Sequence, residues 1–532
     1  MKKVVEDYHS LTQEDVKKLV NEPKKGATLS FSPFEVYVFD GHSAVFLSLS
    51  NSVADVIEQR PAYIRLDFRN AVISKLYFWL SYELQRAETQ TPDRIGLGTK
   101  IFCLVRGQFH EDKKTHMKAG LGLCVSGTLF GMCNTLRQEL ETCTIQFCDT
   151  EYYLPDDSDV WARVASEAFR DTTFGHNDVR ILNSGRYVQR RVSSKAYQAA
   201  NKEFPMPSDG IIAISGGNGA LGLVMGGWLL DKAAEQGVGG FTIKFLSRSV
   251  KISDGNMYLW KDIEAKAAKL GVTVEQGKMD MSSQEGCNKF IESCNGMLKG
   301  FIHSAGVLRD SMLMNLTWDR FEDVFQSKHH AALYLHEALE THPQKDLRFM
   351  WNFSSTSVYG NMGQLNYSGS NSFLDVLTRH RKAKGRPSMA IQWGAWGDVG
   401  MAATMTDAMR LRTMNSPMPY FSNKEGLTGL ECGIQTGLPY FSVYKFNPQV
   451  TMGWIQPMDN IFSLHNRNFH SEVAPTPPAP PQLERKHYYT VLRMAKGPQT
   501  KSPTAVPMVY NAYVKAAAAK DAAEWGNDFR KW

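Results

Sequence analysis

The sequence predicts an α/β protein with two successive units, the second built on a doubly wound parallel sheet. Three observations support this fold class. From about residue 34 to residue 396, short runs of β-branched and aromatic residues alternate with stretches of helical periodicity. A polar passage at 197–208 interrupts this alternation. Soon after it, an apolar strand runs through a glycine-rich turn into an apolar helix, as strand–helix–strand units of a parallel sheet require.

Composition excludes several other classes of protein. The chain has 532 residues, of which 43% are hydrophobic and 21% charged, as in globular proteins of more than one domain. The longest apolar stretches, 120–132 and 221–230, are shorter than the about 20 residues that a membrane span needs. Acidic residues near the N-terminus argue against a signal peptide. We therefore expect no membrane span and no secretion.

Cysteine usage and net charge indicate whether the protein binds a metal or a nucleic acid and in which compartment it folds. The eight cysteines form no CxxC pair, and His329, His330 and His336 lack Cys or carboxylate partners at ligand spacing. This predicts no metal and a reducing compartment such as the cytoplasm. The net charge is +6, and segment 471–532 carries nine Lys and Arg residues against five Asp and Glu. The rest of the chain is close to neutral, so we expect no nucleic-acid-binding face.

The first unit is expected at 29–205, after a polar leader or linker at 1–28 that contains a helix-like stretch, 13–20. Helical periodicity predicts a long helix at 119–140. Runs of β-branched and aromatic residues predict strands at 36–39, 45–49, 63–68, 100–105, 144–147 and 178–181.

The second unit is expected at 206–457. Its first strand, 211–214, leads through the glycine-rich turn into a helix at 223–230. A Pro-rich and Ala-rich tail or linker follows at 458–532, with a short helix at 516–523 as one interpretation. Further strands of the second unit are predicted at 242–246, 273–276, 300–303, 349–353 and 390–393.

The glycine-rich turn from Ser215 to Gly222 is typical of dinucleotide binding. Glycines permit a tight turn and a close backbone approach, and the N-terminus of the next helix offers free N–H groups to a phosphate. An acidic residue at the end of the second strand would accept the ribose 2′-hydroxyl, whereas an arginine suits a 2′-phosphate. Ser247 and Arg248 stand there, which favours NADPH. A structural glycine turn and a solvated arginine are the alternatives.

A second group of residues has the pattern of a carbonyl reductase. Tyr367 and Asn371 are four residues apart at the start of a predicted helix, so their side chains share one face. Ser354 and Ser355 follow a predicted strand, at the end where side chains reach the cofactor crevice. A tyrosine can donate a proton to a carbonyl oxygen when a cation such as Lys328 lowers its pKa from about 10. Taken singly, each residue also has a structural explanation.

Together, these residues resemble the ketoreductase domain of polyketide synthases, a branch of the short-chain dehydrogenase/reductase superfamily. Most of the superfamily has a lysine four residues after the tyrosine, whereas this branch has asparagine there and the lysine upstream, as in Tyr367, Asn371 and Lys328. The resemblance covers about 34–455. It is carried by SGGNGALG at 215–222, HSAGV at 303–307, the segment 328–336, FSS at 353–355, GQLNY at 363–367, NSFLD at 371–375 and IQWGAW at 391–396.

The resemblance implies two Rossmann-like subdomains with doubly wound parallel sheets. The first would be a truncated structural subdomain without a cofactor site, matched best at 120–140 and 178–192. The segment 441–454 would be a closing strand that returns to the first half. The family also implies NADPH-dependent reduction of a β-ketoacyl thioester, carried by acyl carrier protein, with other polyketide synthase domains as partners in the same or a neighbouring chain.

Roles follow from the same resemblance. Tyr367 would donate the proton, Lys328 would lower the tyrosine pKa and hold the nicotinamide ribose, and Asn371 would support Lys328 and a water relay. Motif alignment assigns the carbonyl oxygen to Ser355, whereas the usual spacing to the tyrosine would choose Ser354. Residues expected around the cofactor are Ser215, Gly216, Gly217, Asn218, Gly219, Ala220, Leu221, Gly222, Ser247, Arg248, Asp280, Met281, His303, Ser304, Ala305 and Gly306.

The substrate side is expected at Asp310, Gln364 and Trp393. In this family an Asp in a Leu-Asp-Asp motif accompanies a D-hydroxy product, and a Trp three residues before the tyrosine an L-hydroxy product. Here Asp310 keeps the last Asp and Gln364 stands at the other position, so the D product is expected. Two other functions remain open: a non-catalytic scaffold, and a short-chain reductase or epimerase of free small molecules. Segment 354–360 is also similar to nucleotide-sugar epimerases, against which Lys328 and Asn371 argue.

Overall fold

The computed structural model describes residues 2–5, 27–31, 34–38, 44–49, 78, 100–140, 144–154, 158–168, 177–189, 204–399, 415–416, 418–445 and 447. The predicted strand at 63–68, the helices at 13–20 and 516–523 and the whole predicted tail lie outside these residues. Among the described helices, none is long and apolar enough to cross a bilayer.

Six described strands and two helices form the first half of the larger of two compact units. The strands β1–β2 pair in parallel, as do β4–β5–β6, whereas β2–β3–β4 pair antiparallel. The two-residue link after β2 is too short for a parallel crossover, which accounts for the first antiparallel pair. In sheet order, the strands are β1 (Lys2–Val5), β2 (Ala27–Phe31), β3 (Phe34–Val38), β4 (Ala44–Leu49), β5 (Lys100–Arg106) and β6 (Thr144–Thr150), and the helices are α1 (Lys113–Ala119) and α2 (Gly122–Glu139).

A second compact unit contains α3 (Asp159–Ala168), β7 (Asp178–Leu182) and β8 (Gly185–Val188). The two strands form an antiparallel hairpin. Arg186, in β8, donates two hydrogen bonds to the buried Glu167 carboxylate of α3, at 2.8 and 3.0 Å. This bidentate pair ties the hairpin to the helix.

Seven parallel strands form the second sheet, in the order β11-β10-β9-β12-β13-β14-β15. The strand order reverses between β9 and β12, and ligands of such sheets bind at this switch point, beyond the carboxyl ends of the strands. The strands are β9 (Ile211–Ser215), β10 (Thr242–Ser247), β11 (Thr273–Lys278), β12 (Leu298–His303), β13 (Phe349–Ser355), β14 (Met389–Trp393) and β15 (Tyr440–Val443).

Helices connect these strands, and a short π-helical turn, Gln326–His330, joins two of the helices. The seven described helices of this half are α4 (Ala220–Glu235), α5 (Met257–Leu270), α6 (Gln284–Ser293), α7 (Trp318–Phe325), α8 (Ala331–Thr341), α9 (Leu365–Ala383) and α10 (Asn423–Gln435). The longest, α9, is buried on almost every face because it packs between the sheet and α2. A helix enclosed in this way brings residues of the first half next to those of the second.

Glycines allow α2 and α9 to approach closely. A Cβ atom on Gly131 of α2 would lie well inside van der Waals contact with the carbonyl oxygen of Ser368 in α9, and one on Gly127 would lie 2.7 Å from a methyl group of Val376. Thr135 donates a hydrogen bond to the Ser368 hydroxyl at 2.8 Å. Apolar side chains of both helices share one buried cluster, so the two halves have a continuous core at this point.

The α/β fold class is confirmed, and most predicted strands lie within two or three residues of the observed ones. Two observations differ from the expectations. Strand β1 lies within the predicted leader and β2 begins at its end, and the polarity pattern predicted a strand at neither place. The expected closing strand at 441–454 is described only at its start, where β15 follows the helix α10 and pairs in parallel with β14, as a helical crossover favours. Most of its remaining residues lie outside the described part of the chain.

Candidate active site and cofactor cradle

The glycine-rich turn between β9 and α4 is packed too tightly for side chains. A Cβ on Gly216, whose φ is +69°, would lie 2.7 Å from the Cα of Ala305, and one on Gly217 would lie 2.6 Å from the Cα of Phe245. A Cβ on Gly222 would lie 2.7 Å from the carbonyl oxygen of Gly216. Gly219 is the N-cap residue of α4 and makes no side-chain hydrogen bond to the helix. The first N–H groups of α4 are therefore available to bind an anion.

A cavity of about 320 Å³ opens beside this turn, at the carboxyl ends of β9, β10, β11 and β12. It unites several residues that the sequence assigned to the cofactor. Asn218 does not line it but supports its wall, because its amide donates to the Ser249 carbonyl at 2.9 Å and to the Ser247 hydroxyl at 3.2 Å. The lining includes Ser215, Gly216, Ser247, Arg248, Asp280, Met281, Ala305 and Gly306, together with Arg309 and Asp323, which the sequence analysis did not assign.

A buried hydrogen-bonded chain links the glycine turn to Lys328. The Ser215 hydroxyl lies 2.7 Å from His303 Nδ1, and His303 Nε2 lies 3.1 Å from the carbonyl oxygen of Lys328. Burial lowers the pKa of His303 to about 4, so the ring is neutral at neutral pH. Because a carbonyl oxygen only accepts, Nε2 carries the proton and Ser215 donates to Nδ1. Ser304 donates to the Ser215 carbonyl at 2.7 Å and closes the same corner.

Lys328 lies in the π-helical turn, and its side chain is buried beneath the site. Irregular helical turns of this kind are frequent at functional sites. Its ammonium donates to the Phe353 carbonyl at 2.7 Å and lies 5.2 Å from the centre of the Tyr367 ring. Burial lowers the pKa of Lys328 to about 7, opposed by the negative charge of Asp375. Gly306 makes room for the lysine, because a Cβ there would lie 2.7 Å from Lys328 Cε.

Tyr367 stands in the first turn of α9, half-buried beside Lys328. Burial raises the pKa of its phenol to about 12, while hydrogen bonds with the Asn371 and Ser355 side chains lower it. The phenol is therefore protonated at neutral pH and able to donate its proton.

Asn371 is fully buried one helical turn after the tyrosine, and its amide donates to the Tyr367 carbonyl at 2.8 Å. The structure separates the two candidate serines. The Ser355 side chain lies near the Tyr367 phenol and lowers its pKa. Ser354 instead points into the core and donates to the Asn371 carbonyl at 3.2 Å. Alternation of side chains along β13 accounts for this difference.

The expected substrate residues fall into two places. Gln364 donates a hydrogen bond to the Asp310 carboxylate at 2.8 Å, so these two residues meet on the loops before α7 and α9. Trp393 is elsewhere: only 4% exposed, its ring packs against Phe353 and Trp396 in the core. Burial of a large aromatic ring in the core stabilises the folded state.

Sequence reasoning missed two carboxylates near the site. Asp375 accepts from Gln392 at 2.6 Å and acts on the Lys328 charge. It lies one turn beyond Asn371 and two beyond Tyr367, so its helical spacing was an available signal. Glu139, at the end of α2, reaches two loops of the site through space, and no pattern in the sequence indicates this contact. Within the described residues, no group of His, Cys, Asp and Glu is arranged to hold a metal.

The parallel sheet and its glycine turn have the architecture of Rossmann-like folds, and this group of side chains lies at the carboxyl ends of the strands. Residues 210–398 match the family model of the KR domain. This part of the chain is therefore similar to the ketoreductase domains of polyketide synthases.

Curated relatives agree with this assignment. The chain is 30% identical over 289 residues to polyketide synthase GfsB of Streptomyces halstedii, which covers 53% of this chain and 5% of that protein. It is 31% identical to one of the phenolphthiocerol/phthiocerol polyketide synthase proteins of Mycobacterium tuberculosis, over 44% of this chain and 12% of the relative. It is 33% identical to mellein synthase of Phaeosphaeria nodorum, over 41% and 12%. The chain thus spans a small part of the length of these relatives.

Solved structures share the fold at low sequence identity. A-type ketoreductases from a modular polyketide synthase superpose with a TM-score of 0.60 at 20% identity, over 78% of this chain and 85% of theirs. A ketoreductase domain from the bacillaene assembly line gives a TM-score of 0.58 at 22% identity, over 76% and 92%. The matched share exceeds the KR domain itself, so the likeness of fold extends beyond 210–398.

Proposed function

We propose that this chain reduces a β-ketoacyl thioester, carried by acyl carrier protein, to the β-hydroxyacyl thioester with NADPH during polyketide synthesis. The observation that carries the proposal is the cluster at the carboxyl ends of β12 and β13. A protonated Tyr367 phenol lies there with the Ser355 and Asn371 side chains and the buried ammonium of Lys328. A proton donor, a second hydrogen-bond donor and a cation around one point suit reduction of a carbonyl group.

The residues present fit a phosphorylated dinucleotide. The backbone around Gly216, Gly217 and Gly222 leaves no space for side chains, which allows a pyrophosphate to approach the uncapped N-terminus of α4. Arg248 is exposed on the cavity wall and carries the positive charge that a 2′-phosphate requires. Asp280 and Met281 line the same cavity and would border the adenine. When bound, NADPH would supply the hydride that the β-carbon receives.

The side chains would supply a proton to the carbonyl oxygen and stabilise the negative charge that develops. Tyr367 would give its phenolic proton to the carbonyl oxygen as negative charge develops there. Ser355 would donate a hydrogen bond to the same oxygen and hold the ketone in place. The ammonium of Lys328 would stabilise the negative charge left on the phenolate and hold the nicotinamide ribose. Asn371 would keep the tyrosine turn in register and support a water that returns the proton.

We further propose the D-hydroxy product. Support comes from the residue types at two motif positions: Asp310 keeps the last Asp of the Leu-Asp-Asp motif, and Gln364 stands where a Trp would accompany the L product. The two side chains are hydrogen-bonded to each other on loops near Tyr367. Acyl carrier protein and other polyketide synthase domains are proposed as partners because the curated relatives that match are polyketide synthases of much greater length.

The test is NADPH oxidation with a short β-ketoacyl pantetheine thioester and with the same chain on acyl carrier protein, beside NADH and the Tyr367→Phe variant. Turnover should prefer NADPH and vanish in Tyr367→Phe, while NADPH binding measured by fluorescence persists. Tyr359→Phe is the matched control, because this phenol donates to Gln392 at 3.0 Å, outside the proposed donor cluster. Chiral chromatography of the product should give the D isomer.

The outcomes separate the rival functions. NADPH binding without turnover on either substrate would indicate a non-catalytic scaffold. Equal or better turnover of free small ketones would indicate another short-chain reductase. Full activity in Tyr367→Phe would refute the mechanism, and an L product would refute the stereochemical part alone.

A further inference from the structure

Glu139 is a buried carboxylate from the first half of the chain that reaches into the site of the second half. It lies in the last turn of α2 and is 6% exposed. Its Oε2 accepts a hydrogen bond from the Leu313 amide at 2.7 Å, and its Oε1 accepts one from the Gly363 amide at 2.8 Å. One carboxylate therefore joins two loops that are 50 residues apart in sequence.

These two loops carry the substrate-side pair. Asp310 precedes Leu313 by three residues, and Gln364 directly follows Gly363. The loops are also bonded to each other, because the Ser311 amide donates to the Gly363 carbonyl at 2.8 Å and Gln364 donates to Asp310. Tyr367 lies three residues after Gln364, in the first turn of α9. Any movement of these loops would change where Asp310 and Gln364 stand relative to the phenol.

The helix that holds Glu139 is itself fixed. Gly131 and Thr135, two turns and one turn earlier, contact Ser368 of α9. Asn134 donates to the Val358 carbonyl at 2.8 Å, on the segment that leads towards Gly363. Burial raises the pKa of Glu139, and the two amide hydrogen bonds oppose this shift. Without the carboxylate, two amides would lose their buried acceptor, which is costly enough to rearrange a loop.

Resting on the proposed function, we propose that Glu139 is a positioning residue that fixes Asp310 and Gln364 relative to Tyr367 and thereby controls which face of the ketone is presented. In this role it would not contact substrate or cofactor. Its effect is exerted through the Leu313 and Gly363 amides.

The experiment compares Glu139→Gln with Asp149→Asn in the full chain. Asp149 is a matched control, because it is also a buried carboxylate of the first half and also accepts from two amides, those of Gln108 and Phe109. Three properties are measured in each variant: kcat/KM with a chiral analysis of the product, NADPH affinity, and hydrogen exchange of the loop amides. Glu139→Asp, one methylene shorter, replaces Glu139→Gln if that variant does not fold.

Glu139→Gln should lower kcat/KM about ten- to a hundredfold, mainly through kcat, and lower the enantiomeric purity of the product, with NADPH affinity unchanged. Exchange should accelerate at Leu313 and Gly363. Asp149→Asn should leave kinetics and purity as in the wild type and accelerate exchange at Gln108 and Phe109. Unchanged purity and kcat/KM in Glu139→Gln, or equal losses in both variants, would overturn the proposal.

A wild-type chain without activity would refute the proposed function instead. The exchange measurement still applies in that case, because it reports on the loops without turnover. Unchanged exchange at Leu313 and Gly363 would then overturn the positioning role as well.

Discussion

Two adjacent serines at the end of β13 make different contacts although they are chemically identical. Ser354 is 2% exposed and donates to the Asn371 carbonyl, whereas Ser355 is partly exposed and its side chain lowers the pKa of the Tyr367 phenol. Ser355 also accepts from the Ser357 amide at 3.1 Å and so begins the turn that follows the strand. A carbonyl oxygen near Tyr367 would meet the Ser355 hydroxyl and not that of Ser354.

Replacing each serine by alanine tests this assignment. Ser355→Ala should lower kcat about a hundredfold, as loss of one donor to a developing oxyanion does. Ser354→Ala should keep kcat and lower the free energy of unfolding by about 1 kcal/mol, because it removes one buried hydrogen bond. Steady-state kinetics and urea unfolding measure the two effects. The reverse pattern, a large kinetic loss only in Ser354→Ala, would reassign the carbonyl contact.

Residue types and spacings in the sequence predicted the members of this cluster, because Tyr367 and Asn371 share a helix face and Ser355 ends a strand. They did not predict the pKa of the phenol. That value depends on how completely the ring is enclosed, and burial outweighs the hydrogen bonds from Asn371 and Ser355. Glu139 was missed for a related reason: its partners are 174 and 224 residues away in sequence.

At the scale of elements, the packing of α2 against α9 determines the position of the first turn of α9, which carries Tyr367. Gly131 faces the backbone of Ser368, and Gly369 of α9 faces Thr128 and Met132 of α2. The sequence predicted both helices, but it could not show that they pack together. Small residues in a helix carry no periodic signal of the partner they face, so this contact came only from the structure.

Gly131→Ala should therefore push the helices apart. Its Cβ would overlap the Ser368 carbonyl oxygen, and a backbone atom cannot yield as a side chain does. We expect a loss of about 1–3 kcal/mol in the free energy of unfolding and a lower kcat, because α9 carries Tyr367. Gly227→Ala is the matched control, since it is also in a helix but a Cβ there meets nothing within 4 Å.

Gly227→Ala should raise the free energy of unfolding by about 0.5–1 kcal/mol and leave kcat unchanged. Urea unfolding and steady-state kinetics are measured on both variants. A neutral Gly131→Ala would show that the helices are not held at contact distance.

At the scale of the whole molecule, buried neutral histidines run through the larger unit. Burial lowers the pKa of His303 to about 4 and that of His380 to about 3, and it also lowers the pKa of His116, His329 and His336. His336 accepts a hydrogen bond from the buried Arg381 at 2.8 Å, which leaves no place for a proton on that nitrogen. Because the folded state keeps these histidines neutral, lowering the pH should destabilise it.

The direction of this pH dependence follows from linkage. In the unfolded chain a histidine has a pKa of about 6.5, so below that pH the unfolded chain binds protons that the folded chain excludes. The free energy of unfolding should fall as the pH falls from about 6.5, by up to about 1.4 kcal/mol per pH unit for each histidine that lies between its two pKa values. Urea unfolding between about pH 7.5 and about pH 5 measures this slope.

The His380→Gln variant should reduce this slope. It removes the histidine whose pKa burial lowers to about 3, further than the pKa of His303. An equal slope in wild type and His380→Gln would show that His380 does not contribute to the acid sensitivity of the fold.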